Sequence, residues 1–147
     1  MHLKICKLGE PIPVSDLLPM MENFGLRVIS EHPYELEWDG NARASIQDFE
    51  FERRGAAQVA IDRVEQRFED AFLAVWRGDV DNDGFNRLLL ATPLTARQIV
   101  VLRACCKYLL QTGIPFSQTY MEQTLAAHPE FAHDLIRLFD AQFQPGR

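Results

Sequence analysis

The sequence predicts an α+β fold: a βαββ half built on a small antiparallel sheet, followed by an all-helical half. Three observations lead there. Up to about residue 55 the apolar residues mostly alternate in period two, around one short stretch of helical spacing. Beyond that point they recur every three or four residues, and single glycines and prolines stand at the expected breaks. The chain is therefore expected to divide into an α/β portion over 1–55 and a helical module over 56–147, whose first helix, 56–77, is long enough to pack on the sheet.

Leu3 and Ile5 open a short strand that Gly9-Glu10-Pro11-Ile12-Pro13 must end, because the two prolines offer no ladder donors. Ser15 is then the expected N-cap of a helix, with Asp16 in the dipole-favourable first turn. Leu17, Leu18, Met21 and Phe24 fall on one helical face, Gly25 closes the helix in a left-handed conformation, and Pro19 is tolerated near the first turn. After Gly25 the parity of Leu26, Val28, Tyr34, Leu36 and Trp38 predicts a half-buried strand, with Arg27, Glu31, Glu35 and Glu37 on the other face and an irregularity at His32-Pro33. Asp39-Gly40 is a hairpin signal. The return strand runs through Ala44, Ile46, Phe49 and Phe51, and its change of parity predicts a bulge at Gln47-Asp48.

In the second half Ala57, Ile61, Val64, Phe68, Ala71, Phe72 and Val75 form the apolar stripe of the long helix, which Gly78 ends. A polar loop over 79–83 leads to a short apolar helix around Phe85 to Leu90, stopped before Thr92-Pro93. Thr95 and Gln98 have capping-box spacing and Leu94 and Ile99 that of a hydrophobic staple, so a helix is expected over 96–111. Gly113 and Pro115 break it, Ser117 caps the next, and His128-Pro129 opens a last helix whose core face is Phe131, Leu135 and Leu138.

Composition narrows the function classes. A chain of 147 residues can bury about 70% of its unfolded surface without a metal or disulfide staple. No apolar run approaches the roughly 20 residues of a membrane span, and Met1 to Lys7 has no apolar stretch behind its lysines, so a cytoplasmic address without anchor or leader is expected. Cys6, Cys105 and Cys106 make an odd number, and the adjacent pair diverges on a helix, which favours reduced structural thiols. The formal charge of -6, with no basic cluster, disfavours nucleic acid as a partner.

Asp79-Val80-Asp81-Asn82-Asp83-Gly84 copies the first half of a calcium loop, but Arg87 and Leu90 stand at its ninth and twelfth positions, where the closing glutamate is missing. A solvated connecting loop is the expectation. His128 and His133 are five apart and lack further ligands, so no metal site is read there. Ser15, Ser30, Ser45 and Ser117 lie in no nucleophile-elbow sequence, and none of the isolated glycines forms a phosphate-binding loop. Trp38, Phe49, Phe51, Phe68, Phe72, Trp76 and Phe131 are spaced like core residues. No catalytic, cofactor-binding or metal-ligating residue is therefore assigned.

Several long stretches resemble the large-subunit, NAD-specific glutamate dehydrogenases of bacteria. They are Glu10 through Met20, Asn23-Phe24-Gly25-Leu26-Arg27-Val28-Ile29, Ile46-Gln47-Asp48-Phe49, Phe68-Glu69-Asp70-Ala71-Phe72, Trp76-Arg77-Gly78, Asn82 through Leu88, and Phe116 through Tyr120. The resemblance implies a parent enzyme that deaminates L-glutamate oxidatively to 2-oxoglutarate with NAD in a separate, C-terminal catalytic region, whose lysine and dinucleotide fold are not in this chain. For the first half it implies a small-molecule-sensing domain of the ACT kind, usually βαββαβ, whose last strand is not read here. For the second half it implies a helical module leading to the catalytic part. Two readings follow: a regulatory and assembly segment docked on other domains of a homo-oligomeric subunit, or a freestanding amino-acid-binding module. The latter would hold an effector carboxylate beside the Leu8 to Ser15 loop, at the positive end of the first helix.

Overall fold

The computed structural model describes residues 2–38, 42–53 and 64–143, and it divides into two compact units, Met1–Arg54 and Gly55–Arg147. The chain is α+β, with a three-stranded antiparallel sheet in the first unit and helices throughout the second.

In the first unit β1 (His2–Leu8) leads into helix α1 (Val14–Asn23), then β2 (Leu26–Trp38) and β3 (Ala42–Arg53). The sheet order is β1-β3-β2, so the last strand inserts between the first two and pairs antiparallel with both. Asp39-Gly40, the expected hairpin turn, lies outside the described residues. Helix α1 starts one residue after Pro13, and its cap is not Ser15: the Ser15 hydroxyl, already inside the first turn, donates to Asp16 at 3.3 Å. The buried face is Leu17, Met20, Met21 and Phe24, whereas Leu18 points outward. Gly25, at φ +79°, closes the helix by donating to the Glu22 carbonyl.

The bulge lies in β2, between Val28 and Ser30, and not at Gln47-Asp48. The extra residue, Ile29, reverses the facing of everything after it. Val28 stands opposite buried Phe51, but beyond the bulge Glu31 is opposite Phe49, and Tyr34 and Leu36 are opposite Ile46 and Ala44 on the other face, where both are exposed. β3 itself is regular: Ser45, Gln47, Phe49 and Phe51 are all buried. Pro33 pairs within β2 without breaking it, because β2 is an edge strand and needs no donor on its outer side.

In the second unit the first described helix is α2 (Glu65–Trp76), which begins after Val64; the helical stretch expected over 56–63 lies outside the described residues. Phe68, Ala71, Phe72 and Val75 are buried as the stripe predicts. The helix ends in a Schellman motif: Gly78, at φ +78°, donates to Val75 and Asp79 donates to Ala74. The short apolar helix resolves into a 3-10 turn over Gly84–Arg87 followed by one α-turn, α3 (Leu88–Ala91). Buried Thr92 ends it by donating to the Leu88 carbonyl and accepting from the Leu94 amide. The capping box of Thr95 and Gln98 is formed and opens α4 (Ala96–Gln111), with Leu94 and Ile99 both buried beside it. Ser117 caps α5 (Gln118–Ala127) by accepting from the Tyr120 amide, and α6 (Pro129–Phe143) begins at its proline. The core face of α6 is Ala132 and Ile136; Phe131 and Leu138, expected inside, are exposed.

Candidate functional site

Three places gather the residues that the sequence singles out. The first is the acidic loop after α2. Asp83 occupies the N-cap of the 3-10 turn and accepts from the Phe85 amide at 3.2 Å. Its carboxylate also takes two bonds from Arg103 of α4, Nε to Oδ2 at 2.8 Å and the terminal nitrogen to Oδ1 at 2.9 Å. The same guanidinium reaches Asn86 Oδ1 at 2.8 Å and the Asp81 carbonyl at 3.3 Å, and lies 5.8 Å from the centre of the Phe85 ring. Arg103 is only 4% exposed. Lys107, one turn further along α4, donates to Asp81; that bond first, and the ammonium charge second, hold the Asp81 carboxyl below its ordinary value. Two protein cations from α4 thus take the carboxylates of Asp81 and Asp83. Glu122 and Gln118 of α5 close the cluster, and a Cβ on Gly84 would meet Glu122 Oε2 at 2.5 Å and its Cβ at 3.2 Å, so a larger residue there would push the Glu122 side chain aside.

The second place is the loop before α1, where the reading as a freestanding module would put an effector carboxylate. Gln47, in the middle of the sheet, reaches across to it: Ile12 donates its amide to Gln47 Oε1 at 2.8 Å, and Gln47 Nε2 donates to the Ile12 carbonyl at 2.9 Å and to Glu31 at 2.7 Å. The loop is fixed to the strand by this side chain. The cavity beside it is about 30 Å³, room for a water or two, and is lined by Glu10, Glu35 and Glu37 against the single cation Arg43, which already pairs with Glu37 at 2.9 Å. Its size and sign both disfavour an amino-acid carboxylate.

The third is a groove of about 670 Å³ along α4, α5 and α6. Leu109, Phe116, Tyr120, Phe131, Leu138 and Phe143 line it and are all at least partly open to solvent, with Phe116 stacked on Tyr120 at 5.1 Å between ring centres. No Asp, Glu, Lys or Arg lines it. Cys105 is exposed in its wall, while Cys106 is buried, and that burial, then the neighbouring Cys105 and Glu122, push its thiol up and away from reactivity. The sequence did carry a trace of the groove: Phe131, Leu135 and Leu138 form a true helical stripe that runs along the groove wall, while the buried positions of α6 are Ala132 and Ile136, the latter at the groove's floor.

The remaining residues do not converge. His128 ends α5, its amide bonded to Thr124, and no group of three or more potential metal ligands occurs among the described residues. The hydroxyls of Ser15, Ser30 and Ser45 donate to Asp16, Glu50 and the Lys7 carbonyl, and that of Ser117 serves its helix cap. Phe49, Phe51, Phe68 and Phe72 are core, but Trp76 is exposed, contrary to its core-like spacing; the Trp38 side chain lies outside the described residues. No described helix is long and apolar enough to cross a membrane.

Comparison with known proteins takes in both units. Residues 1–64 match the ACT3 domain of glutamate dehydrogenase and residues 80–145 match its helical motif 3. NAD-specific glutamate dehydrogenases from Halomonas elongata, Pseudomonas aeruginosa and Mycobacterium tuberculosis are 42%, 37% and 36% identical to the chain over 98%, 100% and 93% of its length. The chain spans 9% of the length of each of these relatives. Two successive matches to one family, each on one side of the described fold, place the chain with the ACT3 and helical motif 3 portion of that protein, and it belongs to the NAD-specific glutamate dehydrogenase family.

Proposed function

We propose that the chain serves as a non-catalytic regulatory and assembly segment of a large NAD-specific glutamate dehydrogenase, with an ACT-like domain over 1–55 and a helical module over 56–147. The observation that carries this reading is the pair of matches in series, to a domain and a helical motif of one enzyme, in a chain that accounts for 9% of its relatives. Oxidative deamination of L-glutamate to 2-oxoglutarate, with NAD, then belongs to the parent subunit, and no residue here is catalytic, cofactor-binding or metal-ligating. The partners are other domains of the same subunit within a cytoplasmic homo-oligomer; neither nucleic acid nor membrane is among them. An amino-acid effector, if the parent has one, binds elsewhere than the small acidic cavity beside Gly9 to Pro11. That cavity also weighs against a freestanding amino-acid-binding module.

The physical argument is that hydride transfer needs a nicotinamide held against its substrate by convergent polar groups and a cradle for pyrophosphate. The polar groups brought together here are engaged in holding the fold: Arg103 on Asp83, Gln47 on Ile12. The test is NADH formation from glutamate and NAD by the purified 147-residue chain and, in parallel, by the complete reading frame that contains it. Turnover by the complete protein alone is expected. Glutamate-dependent turnover by the 147-residue chain would overturn the reading.

A further inference from the structure

We propose that the groove formed by α4, α5 and α6 is the seat of an amphipathic helix from another part of the same large subunit, laid into it apolar side down; this rests on the reading of the chain as a segment of that subunit. Three observations favour this occupant. The lining carries no charged side chain, and a concave strip of exposed aromatic and aliphatic residues is a surface that monomeric proteins rarely leave open. Its lining recurs at helical spacing along α6, at Phe131, Leu135 and Leu138, which suits a partner presenting apolar residues at i, i+3 or i+4, and i+7. More than nine-tenths of each relative lies outside the matched stretch, so the full subunit holds ample further chain, and a tethered helix meets the groove at an effective concentration on the order of millimolar.

The other occupants fit less well. A second copy would present the same concave strip across a two-fold axis, and two grooves face to face enclose a void in place of contacts. A small apolar molecule would need polar groups to orient it. The lining offers three such side chains, Tyr120, Thr124 and Gln142, and the hydroxyl of Thr124 is already committed to the Tyr120 carbonyl at 2.7 Å.

Cys105, exposed in the wall, reports on cover directly. The 147-residue chain and the complete subunit are each treated with N-ethylmaleimide, and modification at Cys105 is followed by peptide mapping. At least tenfold slower modification in the complete subunit is expected, with Leu138→Glu in that subunit restoring the fast rate. Leu138 is 67% exposed, so this substitution leaves the fold of the helices intact. Equal rates in the two proteins would overturn the proposal. So would protection of the 147-residue chain itself that grows with concentration and accompanies a dimer in sedimentation, which assigns the groove to a second copy. A lipophilic mass seen by native mass spectrometry, whose removal exposes Cys105 in the complete subunit, would overturn it in favour of a small ligand. Glutamate-dependent NADH formation is measured on the same complete subunit: its absence counts against the dehydrogenase reading and leaves the outcome at the groove to the labelling, sedimentation and mass measurements.

Discussion

Arg103 is the residue on which the second unit's loop depends. Four acceptors from Asp81, Asp83 and Asn86 converge on a guanidinium that is only 4% exposed, so its removal takes the cation from the Asp83 carboxylate and the Arg103 donor from Asn86 Oδ1. Breaking a buried ion pair from one side costs about 3–5 kcal/mol, and Arg103→Ala is expected to lower the unfolding free energy of the 147-residue chain in urea titration by that amount. The Lys107–Asp81 pair beside it is exposed and contributes far less. Because Lys107 depresses the Asp81 carboxyl, the pair stabilises the fold above that group's ordinary value of 3.8, and the contribution disappears as the pH falls through the still lower folded-state value. Lys107→Met should therefore cost about 0.5 kcal/mol at neutral pH after solvent screening, with the difference from wild type shrinking below about pH 4 and in molar salt. A difference that persists at pH 2 would mean the lysine acts through its aliphatic stem. Neither partnership was legible in the sequence, because Asp81 and Asp83 find their cations 26 and 20 residues away, across the packing of α4. Gln47, expected in a bulge, stands instead in a regular strand for a related reason: its partner is the backbone of Ile12, 35 residues away, whose amide and carbonyl its side chain satisfies together.

Elements whose limits are set locally were legible almost to the residue. α4 begins at a capping box, α2 ends at a glycine in the left-handed region, α5 begins at a serine cap and α6 at its proline, and each device acts within four residues of itself. Which face an element buries was less legible, because that depends on what lies across from it. In β2 a single extra residue, Ile29, turned the parity over, and nothing in the local sequence marks it. α6 is apolar on two sides, so periodicity alone could not say which side was core. The structure separates the two, and stability measurements should follow it. Ile136 is 2% exposed, and Ile136→Ala should cost about 2–5 kcal/mol through lost transfer energy and the cavity left behind. Leu138→Glu, in the groove wall, should stay within about 0.5 kcal/mol of wild type in the same denaturant titration. Equal losses at the two positions would show that the groove face is packed within the 147-residue chain.

At the scale of the whole protein the question is how a segment proposed to position without reacting would influence the enzyme it is proposed to belong to. A residue that never touches substrate can change the amount of active enzyme, but it has no direct hold on the stabilisation of bound substrate relative to the transition state. Arg103 sits in such a place, buried between α4 and the loop after α2, in a unit that matches a helical motif of glutamate dehydrogenase. If the segment acts in assembly, Arg103→Ala in the complete dehydrogenase lowers the yield of assembled oligomer, and the total activity of the preparation falls in proportion. The assembled fraction, isolated by size-exclusion chromatography, should keep wild-type KM values for glutamate and NAD and a kcat within about twofold, since about 0.4 kcal/mol of barrier separates rates that differ by two. A tenfold rise in either KM in that fraction would mean that the helical unit reaches the substrate or the nucleotide, and the division of labour argued here would have to be abandoned.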